Sequence, residues 1–286
     1  MKSKLLIAGA LFLFIPLATF AQFLEPIPPN ADTFFERGFL KEDKKDFKGA
    51  MADYTRAIEL KPDFIKAYIN RAMLKEHDGD TNGAIADYSK AIQYNKYDAK
   101  TYYNRGCVYM KIDNQDAALN DFDKAIEINP HLARAYYNRA LVKAKKVDKA
   151  GTIADVNKAI ELQPDFADAY VIRGRSKIGG PDQKDELLDY NKAIELQPDL
   201  ADAYMFRGQA KIRSRDLSGA LRDFNKVIEL NPAKALIKAG AYAGRSVIER
   251  HNGDLKTALA DSEKAIALDP QNEFYQKIRD TILKQR

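Results

Sequence analysis

The strongest constraint on this chain is a period. Displaced by 34 residues, the sequence meets its own residue types again, and copies begin at Ala31, Ile65, Ala99, Ala133, Ala167, Ala201 and Ala239. Numbered within a copy, position 8 is small (Gly38, Ala72, Gly106, Ala140, Gly174, Gly208, Ser246) and position 28 is always isoleucine. Position 32 is proline in all copies but the second, which has Lys96 there. A unit this short cannot bury an apolar face alone, so copies must stack on their neighbours.

Within each copy, positions 4, 7, 8 and 11 share one helical face, and positions 20, 24, 27 and 28 share another. Position 16 between them is Asp or Asn throughout (Asp46, Asp80, Asn114, Asp148, Asp182, Asp216, Asp254), the residue type that caps a helix N-terminus. Proline at 32 ends the second helix, because it lacks an amide donor and clashes with the preceding turn. Each copy is therefore expected to be helix, short turn, helix.

Large or aromatic at 4, small at 8 and 20, mostly aromatic at 24, small at 27 and proline at 32 resembles the tetratricopeptide repeat (TPR). The resemblance covers Ala31 to Asn272. It implies an all-α fold: one right-handed superhelical α-solenoid of repeats at 31–64, 65–98, 99–132, 133–166, 167–200, 201–238 and 239–272. Residues 273–286, with Phe274, Ile278 and Ile282 at four-residue spacing, read as a terminal capping helix.

Charges recur with the same period. Position 7 is Arg in every copy and position 23 is Asp in every copy, Arg105 with Asp121 and Arg139 with Asp155 among them. An unpaired charge on a face turned toward other helices is costly, so a structural ladder of Arg–Asp pairs is expected, within or between copies. Loss of Asp121 should then destabilise the array without selectively abolishing binding. Two departures stand out. Copy five carries Gly179-Gly180-Pro181 in its turn and Glu186 in place of a small residue, and should be the loosest junction. Four extra residues near 233–238 predict a longer first helix in copy seven, with Asn231 and Pro232 as its cap and first position.

The N-terminus reads as a secretory signal peptide at 1–21: Lys2 and Lys4, an apolar run from Leu5 to Leu17, and Thr19-Phe20-Ala21. That run is short of the roughly 20 residues needed to span a bilayer; an uncleaved anchor is the alternative. Its style resembles the leaders of Gram-negative envelope proteins, so export is expected, to the periplasm first, with secretion or envelope association open. Gln22 to Asn30 is a proline-rich lead-in. Cleavage would remove two lysines and lower the formal charge from +5 to +3, too mild for a nucleic-acid binder. No membrane span is expected in the mature chain. The one cysteine, Cys107, excludes an internal disulfide framework.

No catalytic constellation, metal site or cofactor motif is evident: His77, His131 and His251 lie in different copies, and the regular carboxylates follow the repeat. A non-enzymatic protein–protein interaction scaffold is the reading. In the family, first helices line a concave groove. There the chain presents Asn70, Asn104 and Asn138 at position 6, with Lys66, Lys100 and Arg134 at position 2. Tyr103 and Tyr137 stand at position 5, and Lys111 and Lys145 at position 13. Asparagine amides both donate and accept, so this ladder can hold a peptide backbone, and the cations favour an acidic partner. The arrangement partly resembles the carboxylate clamp of TPR co-chaperones: Asn70 and Lys100 fit, whereas Phe35, Phe39, Ile69, Met73 and Asn104 replace its other residues. Copies five and six change character, with Asp168 and Asp202 at position 2 and Ile172 and Phe206 at position 6. That gradient suits a partner of mixed character or self-association. The alternative function is a structural or assembly component docking through the solenoid's outer surface or ends.

Overall fold

A computed structural model describes residues 29–180 and 183–285. The leader and Gln22–Pro28 lie outside the described residues, as do Pro181 and Asp182. The described residues form two compact units, one ending at Tyr94 and one beginning at Asn95.

The first unit holds α1 (Ala31–Asp43), α2 (Phe47–Leu60), α3 (Ile65–His77) and α4 (Thr81–Tyr94). The second holds α5 (Ala99–Lys111), α6 (Gln115–Ile128), α7 (Ala133–Lys145), α8 (Lys149–Leu162), α9 (Ala167–Lys177) and α10 (Glu186–Leu196). It continues with α11 (Ala201–Arg213), α12 (Leu217–Leu230), α13 (Ala235–His251), α14 (Leu255–Leu268) and α15 (Glu273–Leu283). No strand occurs among the described residues. Within each unit, consecutive helices pack in order, and in the second unit first helices also meet the first helix of the next copy.

Local chemistry sets the boundaries. The position-16 side chain accepts the amide hydrogen three residues on, as from Gly49 to Asp46 (3.0 Å), Gly151 to Asp148 (2.9 Å) and Gly219 to Asp216 (2.8 Å). That backbone donation holds the Asp216 carboxyl below its usual range. The turn just before each cap needs a left-handed residue, and position 15 supplies it: Gly79 and Gly253 at φ 85°, Asp113 at 60°, Val147 at 63°. In copy five this position is Pro181, whose ring excludes positive φ, and the left-handed residue is instead Gly179 at φ 74°. The rebuilt turn shortens α9 and leaves Asp185, which makes no side-chain cap bond, at the start of α10. Valine is a poor fit to φ 63° because its branched Cβ meets the carbonyl oxygen. Val147→Gly should therefore stabilise the second unit by about 0.5–1 kcal/mol, read as a higher urea midpoint.

One expectation is corrected. Asn231 does not cap α13: it closes α12 in the left-handed conformation (φ 47°, ψ 56°), its amide bonded to the Val227 and Ile228 carbonyls. Asparagine tolerates that conformation, so it stops a helix here rather than starting one. Helix α13 begins at Ala235 and runs 17 residues, so the insertion does lengthen it. In copy five Glu186 makes a contact of its own. Its buried carboxylate receives Arg213 Nη2 at 2.7 Å, an ion pair joining α10 to α11.

The core is a row of position-24 side chains, Tyr54, Tyr88, Phe122, Val156, Tyr190 and Phe224, all with no exposed surface. The small residue at position 8 faces them. A Cβ built on Gly208 would lie 2.7 Å from the Phe224 ring, and one on Gly106 2.8 Å from Phe122. In copy seven Ser262 stands at position 24, and position 8 is Ser246, whose hydroxyl donates to the Ala258 carbonyl at 2.7 Å.

Each position-7 arginine grips the Asp sixteen residues on with two nitrogens: Arg105 Nε and Nη2 to Asp121 at 2.8 Å each, Arg139 to Asp155 at 2.8 and 2.6 Å. The arginine also stands over the position-4 ring of its own helix, as Arg139 over Tyr136 at 5.4 Å and Arg173 over Tyr170 at 5.1 Å. Its remaining nitrogen reaches position 25 of the preceding copy: Arg71 to Thr55, Arg139 to Asp123, Arg173 to Asn157, Arg207 to Asn191 and Arg245 to Asn225. The ladder thus works within copies and between them. A lysine at position 11 adds a second cation to most rungs, including Lys143 to Asp155 (2.8 Å) and Lys211 to Asp223 (2.8 Å).

In the first unit the Arg37 hydrogen bond, with help from Lys41 and against the cost of burial, holds Asp53 below the usual carboxylate range. Its folded pKa is lower than its unfolded one, so this rung contributes fully above the ordinary value near ~4 and is lost as pH falls through the lower folded value. Calorimetry from pH 7 down to about 2.5 should show the transition falling below pH ~4, less steeply in Asp53→Asn.

Candidate functional site

The residues expected to form an asparagine ladder fall in both units and are described unit by unit. In the first, Lys66 is exposed on α3. Asn70 Nδ2 donates to Tyr54 Oη at 3.3 Å, and that phenol donates to Glu42 Oε2 at 2.7 Å. In the second, Lys100 and Arg134 are exposed on α5 and α7. Asn138 Nδ2 donates to Tyr103 Oη (3.2 Å) and to Cys107 Sγ (3.3 Å). Burial, and then the neighbouring Cys107 thiol, push the Tyr103 phenol up to about 12. Two of the three asparagine amide nitrogens are therefore engaged inside the protein, each holding a tyrosine. Asn104 makes no side-chain hydrogen bond among the described residues and is half-buried on α5. Lys145 is exposed and pairs with Asp113 at 2.5 Å. Lys111 is exposed at the end of α5. Tyr137 packs against Phe166 at 4.6 Å, and burial first, then the Asp168 and Asp202 charges, raise its pKa.

The large concavities lie further along the same row of first helices. One cleft, of about 650 Å³, is bounded by α7, α9 and α11. Its floor includes Leu141, Ile172, Ile178 and Phe206, and its charged lining residues are Lys145, Lys149 and Arg175, with no carboxylate. A second, of about 540 Å³, lies between α11, α13 and α15 and has no charged lining residue; Met205, Ile237, Val247 and Tyr275 are among its walls. Phe206 and Gln209 line both, so the two adjoin.

Sequence reading marked Ile172 and Phe206 as a change of character but missed Arg175, Gln209 and Lys149. For Arg175 and Gln209 a signal was available: positions 6 and 9 of copies five and six combine apolar, cationic and amide groups, where copies two to four have asparagine at 6 and an uncharged residue at 9. What the sequence did not carry was the depth of the space between successive first helices, which depends on small residues such as Gly240 and Gly244 lying across from Met205 and Phe224.

Among the described residues no group of three or more His, Cys, Asp or Glu side chains could hold a metal ion. No described helix is long and apolar enough to cross a membrane. Cys107 is half-buried in the Tyr103–Asn138 cluster, and the His77 ring packs at a tilt against Phe47, 4.9 Å between centroids.

Comparison with known proteins agrees with this geometry. Profiles described as tetratricopeptide repeat match residues 31–64, 99–132 and 207–273, and one described as TPR repeat matches 78–113. Together they span just over half of the 286 residues. A search of curated proteins found no match. Among solved structures, a tetratricopeptide repeat protein from Parabacteroides merdae is 18% identical, with 88% of this chain and 98% of that chain aligned and a TM-score of 0.68. MamA is 26% identical over 60% of this chain and 93% of its own, at a TM-score of 0.55. YrrB, described as a TPR protein with an unusual peptide-binding site, is 25% identical over 68% of this chain and 97% of its own, at 0.52. The repeat, the paired helices and these matches agree: the chain belongs to the tetratricopeptide repeat family, an all-α solenoid that serves as a protein–protein interaction scaffold.

Proposed function

We propose that the protein binds a segment of a partner protein along the first-helix face of copies four to seven, and that it does so after export, in the periplasm. The observation that carries the binding site is the pair of adjoining clefts that share Phe206 and Gln209 as walls. A preformed concave surface with an apolar floor and a few polar groups holds a ligand without reorganising. The peptide-binding site attributed to YrrB supports the same use of a TPR surface. The asparagine row has a smaller part in this reading, orienting Tyr54 and Tyr103 in addition to offering its carbonyl oxygens.

The test is a pull-down from the source organism's envelope fraction, read by mass spectrometry, with Phe206→Asp and with the Asn104→Ala/Asn138→Ala double variant as baits. Phe206→Asp should lose a partner that the native protein recovers; the asparagine variant should weaken that recovery by about tenfold or less. Recovery of the same proteins by all three baits would rule out the face. Attention would then move to the C-terminal end, where Phe274 and Leu283 are 61% and 49% exposed, as for a scaffold that docks through its ends.

A further inference from the structure

We infer that the occupant of the α7–α9–α11 cleft is a peptide segment with carboxylates set beside bulky apolar side chains. The inference rests on the first-helix face being the binding site, and adds the chemistry of what binds.

Charge is the first argument. Three cations and no anion line the cleft. Lys145 has Asp113 as partner, but Lys149 Nζ is directed at the Ile178 carbonyl at 2.7 Å, and the Arg175 guanidinium stands 4.5 Å over the Phe206 ring. Neither Lys149 nor Arg175 has a carboxylate partner among the described residues, in contrast to the arginines of the ladder. The acids of this face, Asp168 and Asp202, stand at position 2, where Lys234 bonds Asp202 at 3.2 Å, and they do not line the cleft. Covering Arg175 with an apolar ligand alone would strip water from a cation without return; a carboxylate beside the ligand's apolar group removes that cost with a charge-assisted, two-pronged hydrogen bond. Stacking on Phe206 already orients the guanidinium plane for it.

The floor is the second argument. In copy one the buried position-24 phenol, Tyr54, is satisfied by Glu42 at position 12 and by Asn70 at position 6 of the next copy. Copy five keeps the phenol as Tyr190, but the equivalent positions are Ile178 and Phe206. The Tyr190 hydroxyl is buried with no hydrogen-bond partner among the described residues. The polar link of copy one is absent here, and the two residues at its positions are both lining residues of the cleft. A buried hydroxyl left unpaired beside a cleft is a local rule broken, and such breaks point to function. The third argument is the neighbouring uncharged cleft, which shares Phe206 and Gln209 with the first and would receive apolar side chains next to the carboxylate. Gln209, which lines the first cleft, offers its amide to a peptide backbone, and the Ser176 hydroxyl, which donates to the Ile172 carbonyl at 2.8 Å, keeps its acceptor capacity.

The experiment is selection of a random phage-displayed peptide library on the native protein and on Arg175→Glu/Lys149→Glu. Both side chains are exposed, so the variant should melt like the native protein. Native selection should enrich Asp or Glu within a few residues of Phe, Leu, Ile or Met. The same peptides should bind the charge-reversed variant at least about tenfold more weakly, with Lys-substituted versions recovering affinity for it, and Arg175→Lys should retain most binding. Neutral or basic sequences, or the same sequences on both baits, would overturn the inference. So would failure to enrich any peptide, whether or not oleate binds the native protein and not the variant; if it does, the occupant is a lipid carboxylate. The pull-down separates the two levels of failure. If Phe206→Asp loses the envelope partner and the charge-reversed variant keeps it, the face stands and the acidic chemistry fails. If Phe206→Asp keeps the partner, both fall.

Discussion

Asp155→Ala should lower the unfolding free energy of the second unit by about 3 kcal/mol, read from urea melts followed by circular dichroism. Asp155 is almost fully buried and faces three donors: Arg139 Nε, Arg139 Nη2 and Lys143 Nζ, at 2.8, 2.6 and 2.8 Å. Burial works against the Arg139 charge, and the Asp155 and Asp123 carboxylates outweigh it, raising the guanidinium pKa above its ordinary value. Removing the carboxylate leaves two cations close together in a partly dry site, at 17% and 24% side-chain exposure. That residual access to water places the expected loss at the lower end of what broken buried ion pairs cost. Asp121→Ala should cost less, about 2 kcal/mol, because Tyr109 occupies the lysine position and, among the described residues, Asp121 pairs with Arg105 and no lysine. The decisive comparison is the double variant Asp155→Ala/Arg139→Met. It should be more stable than Asp155→Ala alone, since the orphaned charge is the main penalty. A single variant as stable as the native protein would show that the ladder contributes nothing.

Phe224→Ala should be the most damaging change in the C-terminal copies, costing about 3–5 kcal/mol. The ring has no exposed surface and lies between two backbones. A Cβ on Gly208 would come within 2.7 Å of it, and one on Gly244 within 2.5 Å. Those glycines leave no side chain able to swing into the vacated space. The helices around it are also tied by Arg207 to Asp223 and by Arg245 to Asn225 and Asp261, so the cavity cannot collapse. In a stacked array the loss is felt first by the copies in contact. Hydrogen exchange should therefore speed up in α11 to α14 before it changes in α5 to α7. A loss below ~1 kcal/mol would mean that the helices do move in, against the packing described here.

Much of this was legible along the chain. The period gave the number of helix pairs. The Asp or Asn at 16 and the proline at 32 set where second helices start and stop, because capping and proline exclusion are local effects. The Arg at 7 and Asp at 23 were readable as partners because both recur on inward faces. Position 25 was also on view, as Thr55, Asp123, Asn157, Asn191 and Asn225, but a small polar residue on a helix has many uses. Its role as the third contact of an arginine emerges only when one copy lies against the next. Asn231 misled for a related reason: asparagine caps either end of a helix, and the choice depends on the backbone conformation.

The sequence alone determined the repeat, the pairing of helices, the caps and the charges of the ladder, because each follows from spacing within about 34 residues and from chemistry that acts over a turn or two of helix. Only the tertiary structure decided where the binding face is deep, which amides are already engaged, and which cations lack a carboxylate. Those properties depend on distances between side chains a whole repeat apart, such as Asn138 with Tyr103 or Arg175 with Phe206. Such distances are set by how closely small residues let neighbouring backbones approach.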